Sequence, residues 1–203
     1  MELYAQNSFF VGNENLQKES TWDFQVASNF RLGEHTRLNI TGFYGHLSDL
    51  IIYEPFMGTR LRPKNIAIAS RMGIDLGINT EPFSWLMIES KNSLLRTRVA
   101  ATKAPLPQAP MFLGLSRVRL GPEDIATLTL QTRYRTESNA NMFGTKTTKG
   151  YILLDALVST PIAHILTLSL SVSNIFNVKN ARDTYEMPIP GTVFFAQIEV
   201  GNS

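Results

Sequence analysis

The most constraining feature of the chain is an alternation near its C-terminal end. From Leu166 the sequence reads Leu-Thr-Leu-Ser-Leu-Ser-Val-Ser, so Leu166, Leu168, Leu170 and Val172 interleave with Thr167, Ser169, Ser171 and Ser173. A helix would scatter both sets around its circumference, whereas a strand sends successive side chains to opposite faces and separates them. After a polar loop ending at Pro190-Gly191, a second run places Phe194, Ala196, Ile198 and Val200 on one face. Gln197 and Glu199 take the other, with Val193 and Phe195. A sheet built this way covers its apolar face with a protein core or with lipid, and the period alone leaves both open.

The same period recurs upstream. Trp22, Phe24, Val26, Phe30 and Leu32 oppose Asp23, Gln25, Asn29 and Arg31; Leu38, Ile40 and Tyr44 oppose Arg37, Asn39 and Thr41. Ile66, Ile68, Met72, Ile74 and Leu76 oppose Asn65, Arg71 and Asp75, and Leu128, Leu130 and Tyr134 oppose Thr127, Thr129, Gln131, Arg133 and Arg135. Trp85 to Leu95 reads as a strand with weaker faces, and Met111 to Leu120 as one whose faces the sequence does not sort. The joins alternate in length. They are short at Gly33, Thr80, Gly121 and Pro161, and long over Tyr4–Glu19, Tyr53–Lys64, Arg96–Pro110, Thr136–Lys149 and Val178–Pro190. Short joins cannot hold the crossover that a parallel pair requires. The expectation is therefore an all-β antiparallel meander of about nine strands with its long loops on one side, the arrangement of outer-membrane barrels.

Composition narrows the function classes. Charged residues make up 18%, below the roughly 25% of soluble domains, and the absence of Cys excludes a disulfide scaffold or a thiolate site. A net charge of +2 without a Lys/Arg run gives no footprint for nucleic acid. No apolar stretch approaches the ~20 residues of a membrane helix. There is no nucleophile elbow or phosphate-cradling glycine loop, so no enzyme is expected. His35, His46 and His164 lie too far apart for metal-ligand spacing, and Asp49, Asp75 and Asp155 stand singly on strands. No cofactor or metal is expected.

Several stretches resemble one family. They are Val172-Ser-Asn-Ile-Phe-Asn177 with Pro190-Gly191 before the last strand, Glu2-Leu3-Tyr4 followed by Gly12-Asn13-Glu14-Asn15-Leu16-Gln17-Lys18-Glu19, and Ser48-Asp49-Leu50-Ile51. Asn65 to Asp75, Leu106-Pro107-Gln108-Ala109-Pro110 and Gly150-Tyr151-Ile152-Leu153-Leu154-Asp155 complete the set. Together they resemble the C-terminal part of the β-barrel of TonB-dependent outer-membrane receptors. Thr192 stands where an Arg is common, and Glu14 and Lys18 replace two prolines.

The resemblance implies that residues 1–203 are the C-terminal portion of such a barrel in the bacterial outer membrane. They would form a partial, open sheet, with the N-terminal strands and the plug domain outside the chain. Complete members pair a barrel of about twenty-two strands with a plug and take up a scarce nutrient such as an iron–siderophore complex, haem or cobalamin. The partners it implies are outer-membrane lipid, the N-terminal strands and plug, the TonB complex through the plug alone, and a small-molecule nutrient ligand. Tyr53, Phe56, Arg60 and Arg62 in one long loop, with Phe143 and Lys146 in another, are the candidate ligand-binding residues. Two alternatives remain: a small complete outer-membrane barrel acting as a pore or adhesin, and a soluble all-β binding protein. Nine strands is an odd count for the former, and the latter would need a protein core behind its apolar faces.

Overall fold

A computed structural model describes residues 10–56, 60–141, 144–163, 165–183 and 187–201, with the backbone alone at 54, 55, 66 and 67. The alternating runs become β1 (Ser20–Leu32), β2 (Thr36–Phe56), β3 (Arg60–Phe83), β4 (Leu86–Val99), β5 (Phe112–Leu120) and β6 (Thr127–Arg135), then β9 (Tyr151–Ala163), β10 (Leu166–Ser173) and β11 (Val193–Val200). Between β6 and β9 stands a short hairpin, β7 (Ser138–Asn139) with β8 (Thr147–Thr148). The nine long strands pair in sequence order, each antiparallel to the next, and the sheet does not close. This is the expected all-β meander and partial barrel, with the outer edges of β1 and β11 unpaired within it.

Short turns follow from local chemistry. Gly33 closes the β1–β2 turn with φ 70°, a left-handed conformation that costs a glycine little. One expected loop is different. The join over Tyr53–Lys64 is mostly strand, because β2 runs on to Phe56 and β3 begins at Arg60, with Tyr53 opposite Pro63 and Phe56 opposite Arg60. Ile51, Ile52 and Tyr53 are strand formers, and their cross-strand pairing outweighs the turn-forming composition around them. The register slips between Leu47 and Leu50, where Asp49 adopts φ 58° and its carbonyl accepts from Asn65 Nδ2 at 2.6 Å. This bulge bends the long hairpin at its midpoint.

The register sorts the faces. Trp22, Tyr44, Ile74, Leu76, Leu128, Leu168, Leu170 and Ile198 fall on one side, and Asp23, Asn39, Arg71, Asp75, Arg133, Ser169 and Gln197 on the other. Among the described residues the buried hydrophobic core is only Ala69, Val99, Leu153 and Ala181, whereas Trp22, Phe24, Ile74, Leu170, Phe194 and Ile198 stand exposed. A soluble sheet buries such a face at roughly 25 cal/mol per Å². Among the described residues nothing covers it, and an outward apolar face of this kind is the one an outer-membrane barrel turns to lipid. Aromatic residues mark both margins. Phe83 stacks on Trp85 at the β3–β4 turn, with ring centroids 5.3 Å apart, and Trp22, 78% exposed, stands near the opposite end of β1.

The apolar face is interrupted over β4, β5 and β6. Ser90, Asn92, Ser116, Thr132 and Tyr134 share it by register with Leu94, Val118 and Leu130. They satisfy one another: Ser90 and Ser116 hydroxyls are 2.8 Å apart, Asn92 Nδ2 donates to Ser90 Oγ at 3.0 Å, and the Tyr134 hydroxyl donates to Asn92 Oδ1. Gly114 makes room for this. A Cβ there would lie 2.6 Å from both Asn92 Oδ1 and a Tyr134 ring carbon, so the ring lies across bare backbone, stacked on Phe112.

The polar face is braced by ion pairs. Arg71 reaches Asp23 at 2.8 Å across the intervening Gly45. Arg133 reaches Asp155 at 3.0 Å, and Glu89 holds Lys91 at 2.7 Å and Arg117 at 3.5 Å. Arg135, 7% exposed, bonds Ser138 Oγ at 2.5 Å.

Candidate functional site

The long connections gather at the end of the sheet opposite the short turns, and the sequence motifs are what hold them there. Asn174, 2% exposed with φ 52°, ends β10. Its backbone N–H donates to Asp155 Oδ1 at 2.8 Å. Its side chain donates to the carbonyls of Val178 (3.1 Å) and Pro190 (2.9 Å) and accepts from Val178 N–H (2.9 Å). Thr192 Oγ1 closes the ring onto the Asn174 carbonyl at 2.9 Å. The Asn-Ile-Phe-Asn signature thus ties both ends of the 174–192 connection together, and Thr192 serves that tie without an Arg.

The Gly12–Glu19 motif does similar work on the β2–β3 hairpin. Asn13 Nδ2 donates to the Pro63 carbonyl at 2.9 Å, Asn65 exchanges two hydrogen bonds with the Gln17 backbone, and Glu19 accepts from Ile51 N–H at 2.7 Å. These are scaffold contacts, made by side chains whose spacing matches the strand register beneath them.

Of the candidate ligand residues, Tyr53, Phe56, Arg60 and Arg62 share this hairpin. Tyr53 meets Phe10 edge-on with centroids 5.7 Å apart, and the Arg62 guanidinium lies 5.1 Å over the Phe56 ring while donating to Asn13 Oδ1 at 3.4 Å. Phe143 lies outside the described residues. Lys146 stands apart from the other four, beside β8, its carbonyl accepting from Ala140 N–H at 2.8 Å.

Lys146 has company that the sequence did not announce. A cleft of about 410 Å³ between the β7–β8 hairpin and the 178–190 stretch is lined by Lys146, Lys149, Lys179 and Arg182, with Thr147, Thr148 and Asn180. No carboxylate lines it among the described residues. Lys146, Lys149 and Lys179 bring like charges around one small volume, and an anion placed among them relieves their repulsion. Lys149, Lys179 and Arg182 were invisible as a group because they come from two separate joins; only the meander brings those joins side by side. No cluster of three or more metal-ligating His, Asp or Glu forms among the described residues.

The comparisons with known proteins agree with this architecture. The copper transporter OprC superposes with a TM-score of 0.77 at 16% identity, covering 92% of this chain and 32% of that one. The siderophore receptor PirA from Acinetobacter baumannii follows at 0.73 and 15%, covering 94% and 33%. The ferric-catecholate import receptor Fiu from K12 E. coli follows at 0.73 and 13%, covering 98% and 30%. At such identities the likeness establishes fold, and the chain spans about a third of the length of each. No curated protein sequence matches. The family described as TonB dependent receptor-like, beta-barrel matches residues 1–175. The chain therefore belongs to the TonB-dependent receptor β-barrels of the bacterial outer membrane, a family of receptors rather than enzymes.

Proposed function

We propose that the chain is the C-terminal portion of the barrel of an outer-membrane receptor that takes up a scarce nutrient as a negatively charged chelate, an iron–siderophore complex before haem or cobalamin. The observation that carries this reading is the cationic cleft of Lys146, Lys149, Lys179 and Arg182 among the long loops. Loops of this kind face the outside in outer-membrane barrels, where a dilute anionic ligand would first be met, and a cleft of one sign raises its local concentration. The siderophore and ferric-catecholate receptors among the structural neighbours point the same way. In this reading Tyr53, Phe56 and Arg60 form a second wall of the ligand mouth. The N-terminal strands pair with the free edges of β1 and β11, and contact with the TonB complex belongs to the plug, not to these strands.

The test is equilibrium binding of ferric chelates of graded charge to the receptor in outer-membrane vesicles. Anionic chelates should bind, and the Lys146→Gln/Lys149→Gln/Lys179→Gln variant should weaken them by roughly tenfold or more while leaving neutral chelates unchanged. Equal binding of anionic chelates by wild type and variant would remove the cleft from the ligand path.

A further inference from the structure

Arginines occupy both faces of the sheet, and on the polar face some, such as Arg31 and Arg37, make no ion pair among the described residues. On the polar face Arg71, Arg117 and Arg133 are each paired with a carboxylate. Arg96 and Arg98 sit on the opposite face, in register with Met72 and Ser70 and in line with Leu94. Both are exposed, and neither makes an ion pair among the described residues. The inward positions between and beside them, Thr97 and Val99, are 9% and 1% exposed and lie under the 104–106 stretch, Leu106 N–H donating to Thr97 Oγ1. That packing fixes which way the two arginines point: outwards, from the face that meets lipid.

Their height matters as much as their direction. From the turn residue Leu86 to Arg96 the strand climbs roughly 23 Å at a tilt near 45°, against an apolar band about 25 Å tall. Trp22 is as many residues from its own turn at Leu32 as Arg96 is from Leu86. The pair therefore stands at the outer aromatic margin, where headgroups begin. The upper part of β4 borders a cleft of about 500 Å³ lined by Arg96, Arg98 and Lys103 together with Thr97 and Glu137 among others.

We infer that Arg96 and Arg98 form a binding site for the phosphate of an outer-leaflet lipid. Two guanidinium forks two residues apart on one strand face offer a phosphate several charge-assisted hydrogen bonds. Lys103 adds a point charge, and Leu94 and Met72 below lie against the acyl chains. The inference needs only the outer-membrane position of the barrel and is independent of the nutrient proposed above.

The experiment is native mass spectrometry of the protein extracted from outer membranes in mild detergent, comparing wild type with Arg96→Gln/Arg98→Gln and with Arg71→Gln as a polar-face control. Wild type and Arg71→Gln should retain a phosphate-bearing lipid, and the double variant should retain at least about tenfold less, since a hydrogen bond to a charged group is worth about a decade or more in affinity. Equal retention by all three overturns the site. Displacement of the lipid by inorganic phosphate alone overturns the lipid as its source. Should the double variant fail to assemble, wild type equilibrated with vesicles of phosphatidylglycerol against vesicles of a neutral galactosyl diacylglycerol decides the matter. Preference for the former supports the site and equal partition overturns it.

Discussion

The outer faces of β10–β11 and of β4–β6 lie in the same sheet and answer the same surroundings by different means. On β10 and β11, Leu166, Leu168, Leu170, Phe194 and Ile198 present side chains with no polar atom at all. On β4 to β6, Ser90, Asn92, Ser116 and Tyr134 present polar atoms but close the donors and acceptors on one another around Gly114. In hydrocarbon the cost attaches to an unsatisfied group, not to a polar one. A lipid-facing surface can therefore be apolar residue by residue or only as a network, and the second kind is fragile in a way the first is not.

Four substitutions, three of them set against a companion variant, sharpen that contrast, each read as a shift in a denaturant titration of the assembled outer-membrane protein. Leu168→Lys places a charge near mid-membrane with no partner and should cost roughly 2–4 kcal/mol, against little for Ser169→Lys on the polar face. Comparable losses at both sites would erase the distinction between the faces. Gly114→Val should cost about 1–3 kcal/mol by driving the Tyr134 ring off its seat. Gly42→Ala, where a Cβ meets nothing within 4 Å, should be close to neutral. Asn92→Leu leaves the Tyr134 hydroxyl with only the longer contact to Ser116 Oγ, at 3.3 Å, and should cost about 1–2 kcal/mol, most of it recovered in Asn92→Leu/Tyr134→Phe, because removing both partners leaves nothing unsatisfied. A double variant no better than the single would mean the network was not closed. Smallest is Asp23→Asn on the polar face, expected below about 1 kcal/mol because both partners of the Arg71 pair are well exposed.

The same contrast explains what the sequence made legible. Strands β1, β10 and β11 could be read with their faces because one face of each is apolar almost throughout, even though Val193 and Phe195 of β11 stand on the polar side. The strand from Trp85 to Leu95 read weakly, and Met111–Leu120 not at all, because Ser90, Asn92, Gly114 and Ser116 sit outwards while Leu95, Leu113 and Leu115 sit inwards. The pattern that sorts them is cross-strand and has no period along the chain. The extended hairpin over Tyr53–Lys64 was hidden by turn-forming residues within it. Of the candidate site, Lys146 was legible as a loop cation, but its neighbours Lys149, Lys179 and Arg182 were not, since their proximity is a product of pairing between β6, β9 and β10 rather than of spacing.

Gly45 gives the sheet a mechanical property. The Asp23–Arg71 pair spans three strands by passing over the one polar-face position of β2 that has no side chain. Sliding β2 by two residues past its neighbours would keep every side chain on its proper face and keep the backbone ladder intact, so hydrophobic patterning cannot oppose it. It would, however, bring Phe43 or Leu47 into the gap and drive the carboxylate and guanidinium apart. The brace thus contributes little to how tightly the three strands hold and much to where they stop, as a key does in its slot.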